Sequence, residues 1–276
     1  MKSLKDKVVV VTGAGSGIGR ALAINLARRG ALLALSDVNQ QGLDETASLL
    51  PAGTSVHTAL LDVADRAAFT AYAAEVIEHF GGVNVVVNNA GVALSGRVAD
   101  LEWQDIDWII GIDWWGVVHG TKLFLPAIIE SGDGHVVNIS SLFGLLAMPD
   151  QAFYNAAKFA VRGFTEALRE EMLIDGHPVG VTSVHPGGIK TAVARSARVS
   201  SRDDQVATAK FFDEKLARMS PERAAEIIVR GILKNQARVL VGLDAHALHN
   251  FAKFTGSRYQ DIVAIGAKFV MPKKTP

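Results

Sequence analysis

Seven short runs rich in β-branched residues punctuate the chain, and longer segments of helical period separate them. The runs are KVVVVT (7–12), ALLALS (31–36), SVHTALL (55–61), VNVVVN (83–88), GHVVNIS (134–140), VGVTSV (179–184) and ARVLVG (237–242). Several are apolar almost throughout, as a strand buried on both faces must be, rather than alternating as a half-exposed strand would. Helical patterns run from Gly17 to about Arg29 and over 40–50, 65–80, 102–130, 153–174 and 221–235. Strand–helix alternation of this kind predicts an α/β fold: one doubly wound parallel sheet of about seven strands with helices on both faces. No internal repeat, low-complexity tract or Pro/Gly/Ser linker divides the chain. Residues 1–244 therefore read as one domain, with the irregular stretch 190–220 as a lid and 245–276 as a C-terminal helical extension.

Composition narrows the class of partner. The 28 Lys and Arg balance the 28 Asp and Glu, which argues against a nucleic-acid surface or an acidic partner. The absence of cysteine excludes disulfides and thiolate zinc sites and suits a reducing compartment. The start, MKSLKDKVVVVTG, carries no apolar signal core, and the longest uncharged runs hold Asn, Ser and Gly rather than spanning a membrane. A cytoplasmic protein is the expectation.

After the first strand comes TGAGSGIGR, Thr12 to Arg20. The G-x-G-x-x-G dinucleotide fingerprint does not fit, because its third glycine would fall on Ile18; the glycines instead read Gly13, Gly17 and Gly19. The physical demand is unchanged. A tight turn brings backbone close to a pyrophosphate, and the free N–H groups of a helix N-terminus face the anion. Asp37 ends the second strand about twenty residues past Gly17, where an acid can bind ribose hydroxyls. A carboxylate there repels a 2′-phosphate, and the neutral neighbours Ser16 and Val38 do not offset it, so NAD is favoured over NADP. Two blander readings stand beside this one: the turn is merely structural, or Asp37 caps the next helix.

In YNAAK, Tyr154 and Lys158 lie four apart on a helical pattern and so share one face. A nearby cation favours the phenolate and lowers a phenol that ordinarily titrates near pH ~10. Such a pair can serve as a general acid/base near neutrality. Hydride leaves carbon as a proton leaves oxygen, so alcohol oxidation needs a base, an oxygen anchor and a hydride acceptor.

Taken together, TGAGSGIG, NNAG (88–91), the serine pair 140–141, YNAAK and HPGGIKT (185–191) resemble the short-chain dehydrogenase/reductase family, in its order and near its spacing. The resemblance covers roughly residues 5–242. It implies a single Rossmann-type domain, a nicotinamide cofactor, and hydride exchange with a carbonyl or secondary alcohol of a small molecule. It also implies a homodimer or homotetramer built through the long helices. Residue by residue, Tyr154 resembles the general acid/base, and Lys158 the residue that lowers its pKa and binds the nicotinamide ribose. Ser141, 13 residues before Tyr154, resembles the anchor of the substrate oxygen, in preference to Ser140. Gly13, Ser16, Gly17, Ile18 and Gly19 resemble the phosphate loop, and Asp62 and Val63 the pair that receives adenine. Asn89, with Ala90 and Gly91, is expected beside the cofactor, while Asn88 braces the sheet. Pro186, Gly187, Ile189 and Thr191 are expected at the carboxamide and phosphate end.

One departure stands out. Where the family usually has an Asn in the long fourth helix, this chain has Asp113, in GIDWWGVVHGTK. An ionised carboxylate near Lys158 would offset the cation and raise the Tyr154 pKa; a neutral Asp113 or an impaired proton relay are the alternatives. That leaves room for a second class of function, a non-catalytic NAD(H)-binding sensor on the same fold.

The remaining candidates are weaker. His246 and His249 have a metal-compatible spacing but no third ligand, so no metal is expected. No G-x-S-x-G follows a strand, which argues against a serine hydrolase. Trp103, Trp108, Trp114 and Trp115 read as core or subunit interface before pocket lining. Phe143, Leu145, Leu146, Met148 and Val193 suggest an apolar pocket and a hydrophobic substrate. The amphipathic tail is expected to pack on a neighbouring subunit or close the pocket before it would touch a membrane.

Overall fold

The computed structural model describes residues 1–191, 193, 196–202, 204–211 and 218–270. Seven parallel strands form the main sheet: β1 (Val8–Thr12), β2 (Leu32–Asp37), β3 (Val56–Leu60), β4 (Val85–Asn88), β6 (Gly134–Ile139), β7 (Val179–Pro186) and β9 (Arg238–Val241). Their order is β3-β2-β1-β4-β6-β7-β9. Each expected strand is present within two residues of its expected ends. Two two-residue strands, β5 (Leu94–Ser95) and β8 (Arg198–Val199), pair in a separate parallel ribbon; at that length they leave no periodic signal to read.

Alternate residues of each strand feed opposite faces, which is why the sheet has two cores. Val9 and Val11 of β1 join a cluster with Leu22 and Leu26 of α1 (Gly17–Ala27) and Ile228 and Ile232 of α8 (Pro221–Leu233). Val8 and Val10 turn to the other face, toward Phe69 of α3 (Arg66–Phe80), Phe124 of α5 (Gly116–Glu130) and Leu168 of α6 (Ala152–Ile174). The helix ends follow local chemistry. Asp65 caps α3 by accepting the N–H groups of Ala67 and Ala68, at 2.8 and 3.0 Å, and Gly81 ends it in the left-handed region at φ 74°. Asn39 caps α2 (Gln40–Ser48) by accepting the N–H of Gly42, so Asp37 is not the capping residue.

The expected helix over 102–130 is not continuous. It divides into α4 (Trp103–Ile110), a π-helical turn (Gly111–Trp115) and α5. A π turn holds one extra residue and often marks a functional position. Here Asp113 is its one buried residue. The glycine that follows allows close packing, since a Cβ on Gly116 would lie 2.6 Å from Val63 Cγ2.

The 190–220 stretch contains β8 and α7 (Gln205–Phe211), while positions 192, 194, 195, 203 and 212–217 lie outside the described residues. The C-terminal extension forms a helical hairpin, α9 (Leu243–Thr255) and α10 (Tyr259–Val270), joined by a 3₁₀ turn. It begins two residues earlier than expected, and 271–276 lie outside the described residues. Among the described residues no helix is long and apolar enough to cross a membrane.

Candidate active site

The strand order reverses between β1 and β4, and in an open parallel sheet the crevice at the carboxyl ends beside that reversal is where ligands bind. A cleft of about 990 Å³ opens there. Every site residue expected from the sequence lines it except Gly19 and Asp113. Those two lie just behind the wall and shape it. A Cβ on Gly19 would stand 2.0 Å from the Gly13 carbonyl oxygen and 2.7 Å from Asn89 Nδ2, so only glycine lets α1 start this close to the turn. Gly13 itself has φ 66°, a conformation that L side chains rarely adopt.

The loop is braced from the next strand over. Asn89 donates through Nδ2 to the carbonyl oxygens of Thr12 and Gly13, at 2.8 and 3.2 Å. Thr12 Oγ1 accepts the N–H groups of Asn89 and Ala90, both at 3.0 Å. Asn88 points into the sheet, donating to Thr121 and Asn138. The Ser16 side chain makes no capping bond at the start of α1, so the first turn keeps N–H groups to offer an anion. Asp37 faces the loop: its Oδ2 accepts the Gly15 N–H at 2.8 Å and its Oδ1 the Asn39 N–H at 3.0 Å. Arg20, the nearest cation in the loop, is bound to Glu45 at 2.8 Å and to the Gly15 carbonyl rather than to Asp37. Asp62 Oδ1 accepts the Ala64 N–H at 2.9 Å, and His119 holds the Val63 carbonyl at 3.0 Å. Thr191 reaches the start of α1, its methyl 3.1 Å from where a Cβ on Gly17 would lie. A glycine cradle, an anion-ready helix start and a carboxylate at the end of β2 fit a dinucleotide.

Across the cleft, α6 presents Tyr154 and Lys158 on one face, with Lys158 Nζ 5.6 Å from the Tyr154 ring centre. Ser141 follows β6 and hydrogen-bonds Tyr154. Ser140 is committed elsewhere, donating to the Lys158 carbonyl at 2.8 Å, whereas Ser141 Oγ accepts the Phe143 N–H at 3.1 Å and keeps its own hydrogen to donate. Lys158 is buried. Its Nζ lies 3.1 Å from Asp113 Oδ2 and 3.4 Å from the Ile139 carbonyl, and Asp113 Oδ1 accepts the Val92 N–H at 2.8 Å.

Electrostatics departs from the spacing argument. Lys158 alone predicts a phenol drawn toward neutrality, but burial lifts Tyr154 above its ordinary value. Lys158 pulls it down, Asp113 pushes it back up, and the bond to Ser141 pulls down again, leaving the net shift upward. Burial also lifts Asp113 against the pull of Lys158 and the Val92 N–H. Burial would depress Lys158, yet Asp113 and Tyr154 together hold it above its usual value.

Several residues of the site carried no readable role in the sequence. His185 donates through Nδ1 to the Ser141 carbonyl, 2.8 Å away, and its Nε2 meets Ser183 Oγ at 2.9 Å. Burial pushes this imidazole down to about 4. A neutral ring must therefore be the Nδ1–H tautomer, because a carbonyl only accepts. Its place ahead of PGGIKT was the one available hint. From the far end of the chain, Asp244 lines the cleft and Tyr259 bonds Ala147 just behind it. Of the apolar set, Phe143, Leu146, Met148 and Val193 line the cleft, whereas Leu145 is buried away from it. None of the four tryptophans lines it: Trp103 and Trp115 are exposed, Trp108 lies under Arg198, and Trp114 packs edge-on against Phe164. Among the described residues no group of three or more His, Cys, Asp or Glu could hold a metal ion.

A model of the short chain dehydrogenase family matches residues 7–201. The chain is 60% identical over 271 residues to a Mycobacterium tuberculosis protein named "Putative oxidoreductase SadH", covering 98% of each. Among solved structures, a short chain dehydrogenase/reductase from Burkholderia phymatum in complex with NAD superposes with a TM-score of 0.83 at 30% identity, over 95% of this chain and 96% of that one. A levodione reductase superposes at 0.78 and 28% identity, over 89% and 98%.

Proposed function

This chain belongs to the short-chain dehydrogenase/reductase family of oxidoreductases, and on that premise we propose that it moves a hydride between NAD(H) and the carbonyl or secondary-alcohol carbon of a hydrophobic small molecule. One observation carries the reading: Ser141, Tyr154 and Lys158 converge on the cleft into which the glycine turn opens. A nicotinamide dinucleotide held by Gly13–Gly19, Asp37 and Thr191 would supply or accept the hydride. The protein's share is proton chemistry and placement. In reduction, the Ser141 hydroxyl donates a hydrogen bond to the substrate oxygen, and the Tyr154 phenol gives that oxygen its proton as the C–H bond forms. In oxidation the same phenol oxygen takes the proton back. Lys158 stays cationic beside the phenol, and Asp113 fixes that ammonium in place.

A phenol lifted above its ordinary value favours its protonated form, the one reduction needs, and so supports that direction. Asp37, unopposed by Arg20, supports NAD over NADP, and the NAD-bound Burkholderia relative agrees with it. Exposed Trp115 and Phe159 on the long helices support a homo-oligomer formed through them. The test is consumption of NADH and of NADPH over a panel of apolar ketones. Turnover faster with NADH supports the reading; tight NADH binding with no turnover on any ketone would instead favour a nucleotide-binding sensor.

A further inference from the structure

The α9–α10 hairpin touches the reaction site at two points that hydride transfer itself does not use. Asp244, near the start of α9, accepts the Gly188 N–H at 2.7 Å through Oδ2. The local backbone is shaped around that carboxylate. A Cβ on Gly187 would lie 2.2 Å from Asp244 Oδ2, and one on Gly242 would lie 2.2 Å from its Oδ1. Tyr259, which opens α10, accepts the Ala147 N–H at 3.0 Å through its phenol oxygen. Ala147 sits on the segment that runs from Ser141 to Tyr154. Between the two anchors Ala245 packs with Leu142 and Leu146 in a buried cluster of its own, separate from the cores on the two sheet faces. Leu248 and Val263 of the hairpin line the same cleft as Phe143 and Met148.

We infer that Asp244 and Tyr259 are positioning residues which fix the C-terminal hairpin as the far wall of the cleft, so that the site selects a bulky apolar ketone or alcohol. This rests on the hydride-transfer reading. Each anchor holds one segment that borders the cleft: Asp244 the Pro186–Gly188 turn and Tyr259 the stretch from Leu146 to Met148. A backbone N–H bonded to a carboxylate is a strong, directional tether, and a buried N–H that loses its acceptor is costly, so removing either anchor frees its turn. A small ketone, held by Ser141 and Tyr154 alone, depends little on that wall. A large one needs it.

The test compares 2-decalone with cyclohexanone, using NADH, in the wild-type protein and in Asp244→Ala, Asp244→Asn and Tyr259→Phe, with NADH affinity read by fluorescence and folding by thermal melting. Asp244→Ala and Tyr259→Phe should lower the decalone-to-cyclohexanone ratio of kcat/KM by about 10-fold. Asp244→Asn keeps an acceptor oxygen and should hold the ratio within about threefold of wild type. Asp244→Ala should also weaken NADH binding relative to Asp244→Asn, because the Pro186–Gly188 turn lies on the cofactor's path. An unchanged ratio, or equal losses on both ketones, overturns the inference and leaves the hydride reading intact. If the wild-type protein reduces neither ketone, the hydride reading falls, and the affinity comparison decides alone: equal NADH affinity in the two Asp244 variants sinks the inference, and weaker binding in Asp244→Ala sustains the tether.

Discussion

On the wall made by residues 12–20 and 89–91, the chain meets the cleft mainly through backbone: glycines that admit no Cβ, a bare helix start, carbonyls tied down by Asn89, and N–H groups held by the Thr12 hydroxyl. On the opposite wall it meets the cleft through side chains. Ser141, Tyr154 and Lys158 are set by Asp113, His185 and the C-terminal hairpin, which lie far from them in sequence. In the proposed reaction the difference follows from what each wall would do. A pyrophosphate is recognised by close approach of N–H groups, which one local turn can provide. Proton transfer needs tuned groups within hydrogen-bond reach, and tuning comes from burial and neighbouring charge.

The comparison breaks most sharply at Tyr154. Tyr154→Phe should lower kcat by about a thousandfold while NADH affinity changes little, because the loss falls on chemistry alone. Single-turnover kinetics beside fluorescence titration checks this, and comparable losses in both would merge the two walls into one. Gly19→Ala should do the reverse. Its Cβ would overlap the Gly13 carbonyl at 2.0 Å, and overpacking of that kind costs about 1–3 kcal/mol, so NADH affinity should fall about 10- to 100-fold. At saturating NADH its kcat should stay closer to wild type than that of Tyr154→Phe.

Asp113→Asn sharpens the side-chain wall. The carboxylate raises Tyr154, so its removal should lower the phenol, and the pH–rate profile for alcohol oxidation, which needs the deprotonated form, should move to lower pH. Identical apparent pKa values in the two proteins would show that Asp113 carries no charge that Tyr154 feels.

A comparable effect on stability should appear in acid. Burial holds His135 down to about 3 and His185 down to about 4, and both sit on β6 and β7, beneath the side-chain wall. The unfolded chain takes up these protons from about pH 6.5 downward while the folded chain refuses them. Their contribution is therefore complete above that pH and is lost as pH falls, by up to about 1.4 kcal/mol per pH unit for each ring. Thermal melts from neutral pH toward pH ~4 should show this slope, and His185→Asn should flatten it. Amide exchange should also rise first in β6 and β7; faster loosening of β1 and β2 would contradict the assignment.

The strands, the helix over 152–174 and the glycine turn were legible because each is written in adjacent residues: period-two or all-apolar runs, period-3.6 faces, and glycines at a strand–helix junction. The break in the 103–130 helix was not legible. Nothing in GIDWWG forbids an ordinary α-turn, and the extra residue is held there by packing of Gly116 on Val63 and by the pull of Lys158 on Asp113. The ribbon of β5 and β8 was hidden for a different reason, since two residues cannot show a period.

The amino-acid order by itself determined the doubly wound sheet, the position of the glycine turn and the pairing of Tyr154 with Lys158, because those depend on residues close in the chain or on hydrophobic period; the choice of Ser141 rested on the family resemblance. Only the tertiary structure decided the sign of the Tyr154 shift and the reach of the hairpin. The first is a contest between desolvation and charges brought from positions 113 and 158, and the second is two hydrogen bonds closed over 56 and 112 residues. Both are distances in space, which a linear order does not contain.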